Sequence, residues 1–395
     1  MKSAFGCIVA ALAFAAPAHE TSTPVRVGTL PLVTCKNHFI LDEPCGPLDT
    51  TIPVPTAIAV DAQGNVFFSG PNIVYKLAKD GVLTRVAGNG QPGFSGDGGA
   101  AVDALLDIPF EEYPERQRDP IDFSELVGPL AVDAAGNLYI GDAYNNRVRK
   151  VTPDGIIETV AGNGEQGHFG GFPADADGAP ATSVTLWWPQ GLGVDAKGRL
   201  FIADSTGVLL QIDDAGRLVQ LTHNDCGTFE SPGLCAPEGI AVNAAGEAFA
   251  TDAYCRVRKV RGPDDVETVA GDARPDPHGF VFTCGYSGDG GPATLAGLEA
   301  PFAVALDGAA NLFIADTYNH CIRKVDGNGI ITTVAGQCGH AGSAPASGPA
   351  LVAGLWEPHG IAADSTGNLY IADTRNECIR KVTPEGVMTT IAGNC

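Results

Sequence analysis

The stretch that decides the fold is PLAVDAAGNLYIGDAYNNRVRKVTPDGIIETVAG, residues 129–162. It opens on Pro129 with a small apolar run ending at Val132. Asp133-Ala-Ala-Gly136-Asn137 follows, a tight hairpin turn in which Gly supplies a positive φ. Leu138-Tyr139-Ile140 reads as a second strand. Arg147-Val148-Arg149-Lys150-Val151 alternates polar and apolar residues, so it reads as a half-buried third strand. Thr152-Pro153-Asp154-Gly155 turns the chain again, and the β-branched run Ile156 to Val160 reads as a fourth. One stretch of this length therefore encodes a four-stranded antiparallel sheet.

The stretch is not alone. Near-copies begin around residues 55, 189, 237, 301 and 358, making six units. The place of Asp133 is taken by Asp61, Asp195, Asn243, Asp307 and Asp364. Nine residues further on stand Asp142, Asp204, Asp252, Asp316 and Asp373, with Gly70 the exception in the first unit. A lone four-stranded sheet leaves its apolar faces wet, and repetition covers each face with the next copy. The predicted fold is all-β: a six-bladed β-propeller of four-stranded antiparallel blades over residues 54–395.

The repeats also dispose of a tempting motif. Gly88-Asn89-Gly90-Gln91-Pro92-Gly93 and Gly162-Asn163-Gly164-Glu165-Gln166-Gly167 both spell G-x-G-x-x-G. A phosphate fingerprint needs a helix N-terminus behind the glycines, followed by a parallel strand. Here each run follows the fourth strand of a unit, so the glycines punctuate loops.

The unit resembles the NHL repeat, whose Asn-His-Leu signature corresponds to Asn319-His320-Cys321, Asn145-Asn146-Arg147 and Asn376-Glu377-Cys378. The resemblance spans roughly residues 54–395. The segment Gly93-Phe94-Ser95-Gly96-Asp97-Gly98-Gly99, echoed at residues 285–291, is similar to one in secreted bacterial NHL proteins and in teneurin propellers. It is expected to act as a clasp, with the aromatic buried and the Asp accepting backbone N–H bonds. Leu105, Leu186, Leu298 and Leu355 precede the next blades.

Composition sets outer bounds. The 395 residues are 44% hydrophobic and 18% charged, which suits a globular chain, and the 51 Gly and 28 Pro suit many turns. A formal net charge of −22 repels a phosphate backbone, so no nucleic acid partner is expected. Residues 1–18 have a positive start, an apolar centre and Ala16-Pro17-Ala18, the pattern of an export signal cleaved near Ala18. Residues 19–53 form an N-terminal segment. No stretch reads as a membrane span. The expected location is secreted or periplasmic, and the expected state a monomer.

Of the 11 cysteines, ten lie beyond the signal. Export favours disulfides, and no C-x-x-C spells a zinc or redox site. Cys321 and Cys338 are 17 apart, as are Cys378 and Cys395; each pair brackets the open end of a third-to-fourth-strand hairpin. Cys255 and Cys284 hold similar places. Packed sheets lie about 10 Å apart, too far for blade-to-blade bonds. The predicted pairs are Cys255–Cys284, Cys321–Cys338 and Cys378–Cys395, with local loops Cys226–Cys235 and Cys35–Cys45.

The long connections run from a fourth strand to the next first strand, and strand alternation sends them all to one face. That face is the expected working surface. The residue after each blade-opening Pro should face the central channel: Thr56, Gln190, Glu238, Phe302 and His359, with Gly128 near that place in the second blade. Trp187, Trp188 and Trp356 stand beside the same prolines. The candidate ligand-binding set is Gln190, Glu238, Phe302, His359, Trp188 and Trp356. Trp residues there either pack loops or form a stacking surface for a sugar or peptide.

No catalytic residue, metal ligand or cofactor is assigned. A three-His zinc set like that of peptidyl-amidoglycolate lyase would need more than Pro358-His359-Gly360. Gluconolactonase-type propellers hold a divalent metal in the channel, and Glu238, Gln190 and His359 would have to converge to imitate them. Calcium at Asp175-Ala176-Asp177-Gly178 lacks the bidentate Glu of an EF-type loop. The recurring Asp142 set is expected to cap turns, and the Arg-Lys pairs (Arg149-Lys150, Arg258-Lys259, Arg323-Lys324, Arg380-Lys381) to be solvated or paired on strand surfaces. The favoured function is recognition of a protein, peptide or glycan by the loop-rich face. The alternatives are a channel-site lyase or lactonase with a divalent metal, and a structural cell-surface protein. The charged insertion 111–125 is a lid, contact site or flap on this reading.

Overall fold

The computed structural model describes residues 52–108, 128–168, 171–173, 176–223, 234–263, 265–272, 284–343 and 345–395. The signal, Cys35–Cys45, Cys226, Asp175 and the 111–125 insertion lie outside them. The chain forms six four-stranded antiparallel blades, at 58–87, 130–161, 189–220, 240–270, 301–336 and 358–393. The second blade is Leu130–Val132, Leu138–Asp142, Arg147–Val151 and Ile157–Ala161. The six first strands touch in a closed cycle, the sixth against the first, so they line the centre of a β-propeller. The last blade builds all four strands from its own sequence. A repeated hydrogen bond carries across its seam: Thr317 Oγ1 donates to the Pro358 carbonyl (2.8 Å), and Thr374 Oγ1 to that of Pro55 (2.7 Å). No described helix is long and apolar enough to cross a membrane.

The core lies between blades. One cluster joins Phe67 and Val74 of the first blade to Leu138, Ile140 and Ile157 of the second; another joins Ala315 and Ile322 of the fifth to Ile361 and Ile371 of the sixth. Close packing near the axis explains the glycines of Pro-Gln-Gly, Pro-Glu-Gly and Pro-His-Gly. A Cβ on Gly191 would collide with the Glu238 carbonyl of the next blade, and one on Gly239 with the Phe302 carbonyl. One on Gly360 would lie 3.0 Å from the Thr56 carbonyl oxygen.

The long connections do more than cover one face. Into the second, third, fifth and sixth blades the connection runs along the outer strand of the blade it enters before turning inward. Gly98 N–H bonds to the Ile157 carbonyl (2.8 Å), and Ile157 N–H to that of Gly99 (3.1 Å). Gly290 and Gly291 treat Ile331 likewise, and Ser347–Pro349 pairs as a fifth strand with Val387 to Thr389. These segments cap exposed sheet edges, which otherwise invite pairing with other chains.

The clasp aspartates do accept hydrogen bonds, but their chief partner is an arginine. Asp97 takes Arg149 (2.7 Å) and the Thr159 hydroxyl (2.7 Å). Asp289 takes Arg323 (2.7 Å) and the Thr333 N–H (3.0 Å). Two expectations are corrected here. The aromatics are not buried: Phe94 is 41% and Tyr286 45% exposed, each lying over an arginine guanidinium. The first member of each Arg-Lys pair is not on the surface either, since Arg149, Arg323 and Arg380 are wholly buried and Arg258 nearly so. Strand alternation sends Arg inward and Lys outward, where Lys259, Lys324 and Lys381 sit over Phe249, Phe313 and Tyr370. Asp177 is the clasp aspartate of the third blade, accepting the Gln220 N–H at 3.0 Å. In the first connection the buried leucine is Leu106, matching Leu186, Leu298 and Leu355, while Leu105 is half-exposed.

Disulfides join Cys255 to Cys284, Cys321 to Cys338 and Cys378 to Cys395, with Cα atoms 6.0, 5.1 and 5.6 Å apart. Cys235 is also disulfide-bonded. In the second blade Arg147 stands where the fifth and sixth have Cys321 and Cys378, and its guanidinium spans the hairpin end to the Asn163 carbonyl (2.8 Å).

Candidate functional site at the channel mouth

The mouth is built by the three residues that lead into each blade. In the third, Leu186 is buried, Trp187 N–H donates to Asp204 (3.0 Å) and Trp188 N–H donates to Asn146 of the second blade (3.2 Å). The pattern recurs at the sixth: Trp356 N–H to Asp373 (2.9 Å), and Glu357 N–H to Nδ1 of His320 in the fifth (3.2 Å). At the second, Asp107 N–H goes to Asp142 (2.7 Å) and Ile108 N–H to Asn72 of the first (2.8 Å). The recurring Asp thus does more than cap its own turn. It holds the incoming chain, while a polar residue of the previous blade holds the next N–H.

Two backbone features recur with it. Asn72, Asn146 and His320 adopt positive φ of 55°, 52° and 57°, a conformation Asn tolerates better than most residues. The residue before the blade-opening Pro is also left-handed, with φ of 40° at Val54, 47° at Trp188, 42° at Ala236, 44° at Ala300 and 47° at Glu357. Such conformations persist only where surrounding bonds fix them, and at Trp188 and Glu357 the paired clamp does so.

After the Pro comes a bulge. Pro189 pairs with Asp204 and Gly191 with Ala203, leaving Gln190 as an extra residue; Phe302 and His359 are extra in the same way. A bulge re-aims a side chain out of the ladder. Phe302 and His359 stack across the boundary between blades, ring centres 5.1 Å apart at 15°, with Tyr318 edge-on to Phe302 at 6.0 Å. His359 Nδ1 lies 2.9 Å from the Glu357 carbonyl, which only accepts, so this nitrogen carries the proton.

Gln190 belongs to a second group. Its Nε2 donates to Ser205 Oγ (2.9 Å), which donates to the Trp188 carbonyl (2.9 Å). Trp188 stacks on Trp187 (4.8 Å, 30°) and meets Tyr144 edge to face (6.2 Å, 81°). Trp356 is 44% exposed on the sixth lead-in, beside the Arg375–Glu357 ion pair (2.8 Å). Glu238 is half-buried just ahead of the inner strand of the fourth blade, its carbonyl next to Gly191, and Thr56 hydrogen-bonds Ser69 (3.1 Å). Sequence reasoning placed Gln190, Glu238, Phe302, His359, Trp188 and Trp356 together at one channel mouth; the contacts divide four of them into a Gln190–Trp188 group and a Phe302–His359 group. It did not name Ser205 or Tyr144, which follow the second strand and carry no signal beyond that position.

The acids under the mouth are strongly buried. Burial pushes the Asp142, Asp204 and Asp316 carboxyls up to about 6, against the N–H donors and, for Asp142 and Asp316, the arginines that favour the charged form. Asp252 and Asp373 are raised for the same reason. Asp204 differs in its partners, because Leu210 replaces the arginine of the third strand. It is held by Trp187 N–H and by the N–H (3.0 Å) and hydroxyl (2.5 Å) of Thr206. Among the described residues no group of three or more His, Cys, Asp or Glu is arranged to hold a metal ion.

Against known proteins, residues 278–350 match the teneurin NHL domain and residues 355–382 the NHL repeat. Teneurin-3 of Mus musculus is 28% identical over 255 residues, covering 59% of this chain and 8% of that protein. Teneurin-3 of Danio rerio is 27% identical over 369 residues, 83% of this chain and 12% of its own length. The chain therefore spans only 8 to 12% of the length of the teneurins it matches. NHL repeat-containing protein 2 of Bos taurus is 28% identical over 299 residues, 68% of this chain and 40% of that one. Among solved structures, a protein of unknown function from Bacteroides thetaiotaomicron superposes with a TM-score of 0.58 at 17% identity, over 88% of this chain and 72% of its own. An auxiliary nutrient binding protein from the same organism gives 0.55 at 14%, over 84% and 69%. At such identities these likenesses show the fold.

Proposed function

We propose that this NHL propeller is an extracytoplasmic binding module whose loop-rich face, centred on the channel mouth, takes a protein, peptide or glycan. One observation carries the reading. The same bulge recurs in the third, fifth and sixth blades, yet it presents a different residue each time, Gln190, Phe302 and His359, and the matching places in the first, second and fourth blades hold Thr56, Gly128 and Glu238. A frame held constant around a varied set of side chains is how a rigid scaffold presents a recognition surface. Half-buried aromatic residues beside it, Trp187, Trp188 and Tyr318, add apolar area with polar tips, the composition favoured at binding sites. The disulfides suit an oxidising compartment outside the cytoplasm.

The test is a binding survey. The purified full chain, disulfides intact, is applied to glycan and peptide arrays, and each hit is titrated on a biosensor. Trp188→Ala and Phe302→Ala are expected to weaken the hit, while Lys197→Ala, in a tight turn on the opposite face, leaves it unchanged. A hit that both mouth variants bind as well as the parent does would overturn the proposal.

A further inference from the structure

The third-blade side of the mouth holds two buried polar atoms whose needs are unmet. Gln190 is 5% exposed. Its orientation follows from proton counting: Ser205 has one hydroxyl proton, and the Trp188 carbonyl takes it. Ser205 must then accept, which turns the Gln190 amide nitrogen towards it and Oε1 away. Oε1 is buried without a hydrogen-bond partner among the described residues, and so is the indole N–H of Trp187. Buried polar groups are almost always paired, and exceptions call for a specific cause. Here an orphan acceptor and an orphan donor flank the same short segment, 187–190, whose backbone is fixed by Asp204, Asn146 and Ser205.

The chemistry of the pair narrows the occupant. An ammonium group satisfies only the acceptor, and a carboxylate only the donor. A hydroxyl satisfies both, giving its proton to Gln190 Oε1 and receiving one from Trp187. Next to these atoms Trp188 and the 36%-exposed Tyr144 offer aromatic surface. The C–H face of a sugar ring packs on such surface while its hydroxyls bond outward. Resting on the binding-module reading above, we infer that the third-blade mouth is a carbohydrate subsite, in which a pyranose lies against Trp188 and Tyr144 and places one hydroxyl between Gln190 Oε1 and the Trp187 indole N–H. A peptide group also carries a donor and an acceptor, and is the competing outcome.

The test titrates the full chain with methyl glycosides of glucose, mannose, galactose and N-acetylglucosamine, read by saturation-transfer NMR and tryptophan fluorescence. At least one is expected to bind saturably. Gln190→Leu, which keeps the bulk and removes the acceptor, is expected to weaken it about tenfold, the equivalent of one lost hydrogen bond. Gln190→Glu keeps an acceptor and should bind better than the leucine variant. Tyr144→Ala and Trp188→Ala should weaken every glycoside that binds. Circular dichroism and thermal midpoints confirm folding, and Lys197→Ala serves as the control. No glycoside binding, or binding that survives both Gln190→Leu and Trp188→Ala, overturns the sugar assignment. Should an acetylated dipeptide amide or tetramethylammonium bind instead, in a Trp188-dependent way, the sugar assignment fails while the binding-module reading stands. Should the array hits depend on neither Trp188 nor Phe302, the broader reading falls as well.

Discussion

Replacing Arg323 by Met tests the buried charge that ties connection to blade. The arginine is wholly buried and reaches Asp316 (3.2 Å, also buried), Asp289 (2.7 Å) and the carbonyls of Ser287 (3.0 Å) and Gly297 (3.2 Å). Met fills the space of the stem but leaves Asp316 without its cation, with Glu299 N–H and the Asn319 amide as its remaining hydrogen-bond donors. Removing one partner of a buried pair costs about 3–5 kcal/mol. The third blade, with Leu210 in the arginine's place, shows that such an acid can be held by neutral donors, which places the expected loss at about 3 kcal/mol, the lower end of that range. The loss should depend on pH. In the parent, burial already lifts the Asp316 carboxyl to about 6. Without the arginine it rises further above its unfolded value. The folded variant then binds a proton that its unfolded chain does not, so its stability falls as pH rises through that window. The deficit against the parent should therefore be largest near neutral and alkaline pH. It should shrink by up to about 1.4 kcal/mol per unit on acidification, until the parent carboxyl begins to protonate. Urea midpoints at several pH values, disulfides intact, provide the assay. Adding Asp316→Asn should recover part of the loss. A deficit under about 1 kcal/mol at neutral pH, or one that grows on acidification, would refute the reasoning.

Other substitutions probe other links. Gly191→Ala drives a methyl into the Glu238 carbonyl and should cost about 1–3 kcal/mol or more, whereas Gly348→Ala, with nothing within 4 Å and no positive φ, should stay within about 0.5 kcal/mol; thermal midpoints compare the two. Cys321→Ser with Cys338→Ser opens a loop of 17 residues and should cost about 3 kcal/mol in urea denaturation under non-reducing conditions. Asn146→Gly keeps the left-handed backbone but loses the acceptor for Trp188 N–H, while Asn146→Ala loses both. Ala should therefore be the less stable by about 1 kcal/mol, and both should loosen Trp188, seen as a shift in tryptophan fluorescence.

The repeat made the fold legible, because strand, turn and strand recur with the same aspartates and glycines. The Cys255–Cys284, Cys321–Cys338 and Cys378–Cys395 pairings followed from hairpin geometry for the same reason. Arg149 and Arg323 were harder. Alternation marks one face of their strand as buried, but the acids that neutralise them, Asp97 and Asp289, arrive from connections 52 and 34 residues away. A local reading therefore left the arginines on the surface. Leu105-Leu106 shows a similar limit: two adjacent leucines fit one slot, and only packing selects Leu106. At the mouth, the Pro-Gln-Gly and Pro-His-Gly signals located Gln190 and His359. That Asp204 and Asn146 clamp the intervening Trp187 and Trp188 was invisible, because the donors are backbone N–H groups and leave no trace in residue type.

Hydrogen–deuterium exchange, with and without the tightest array ligand, locates the bound surface directly. Slowed exchange is expected at the mouth, in residues 186–191, 204–206 and 356–360, with the hairpin turns at 195–199, 307–311 and 364–368 unchanged. Slowing confined to those turns, with the mouth unaffected, would contradict a binding face built on the lead-in and bulge residues.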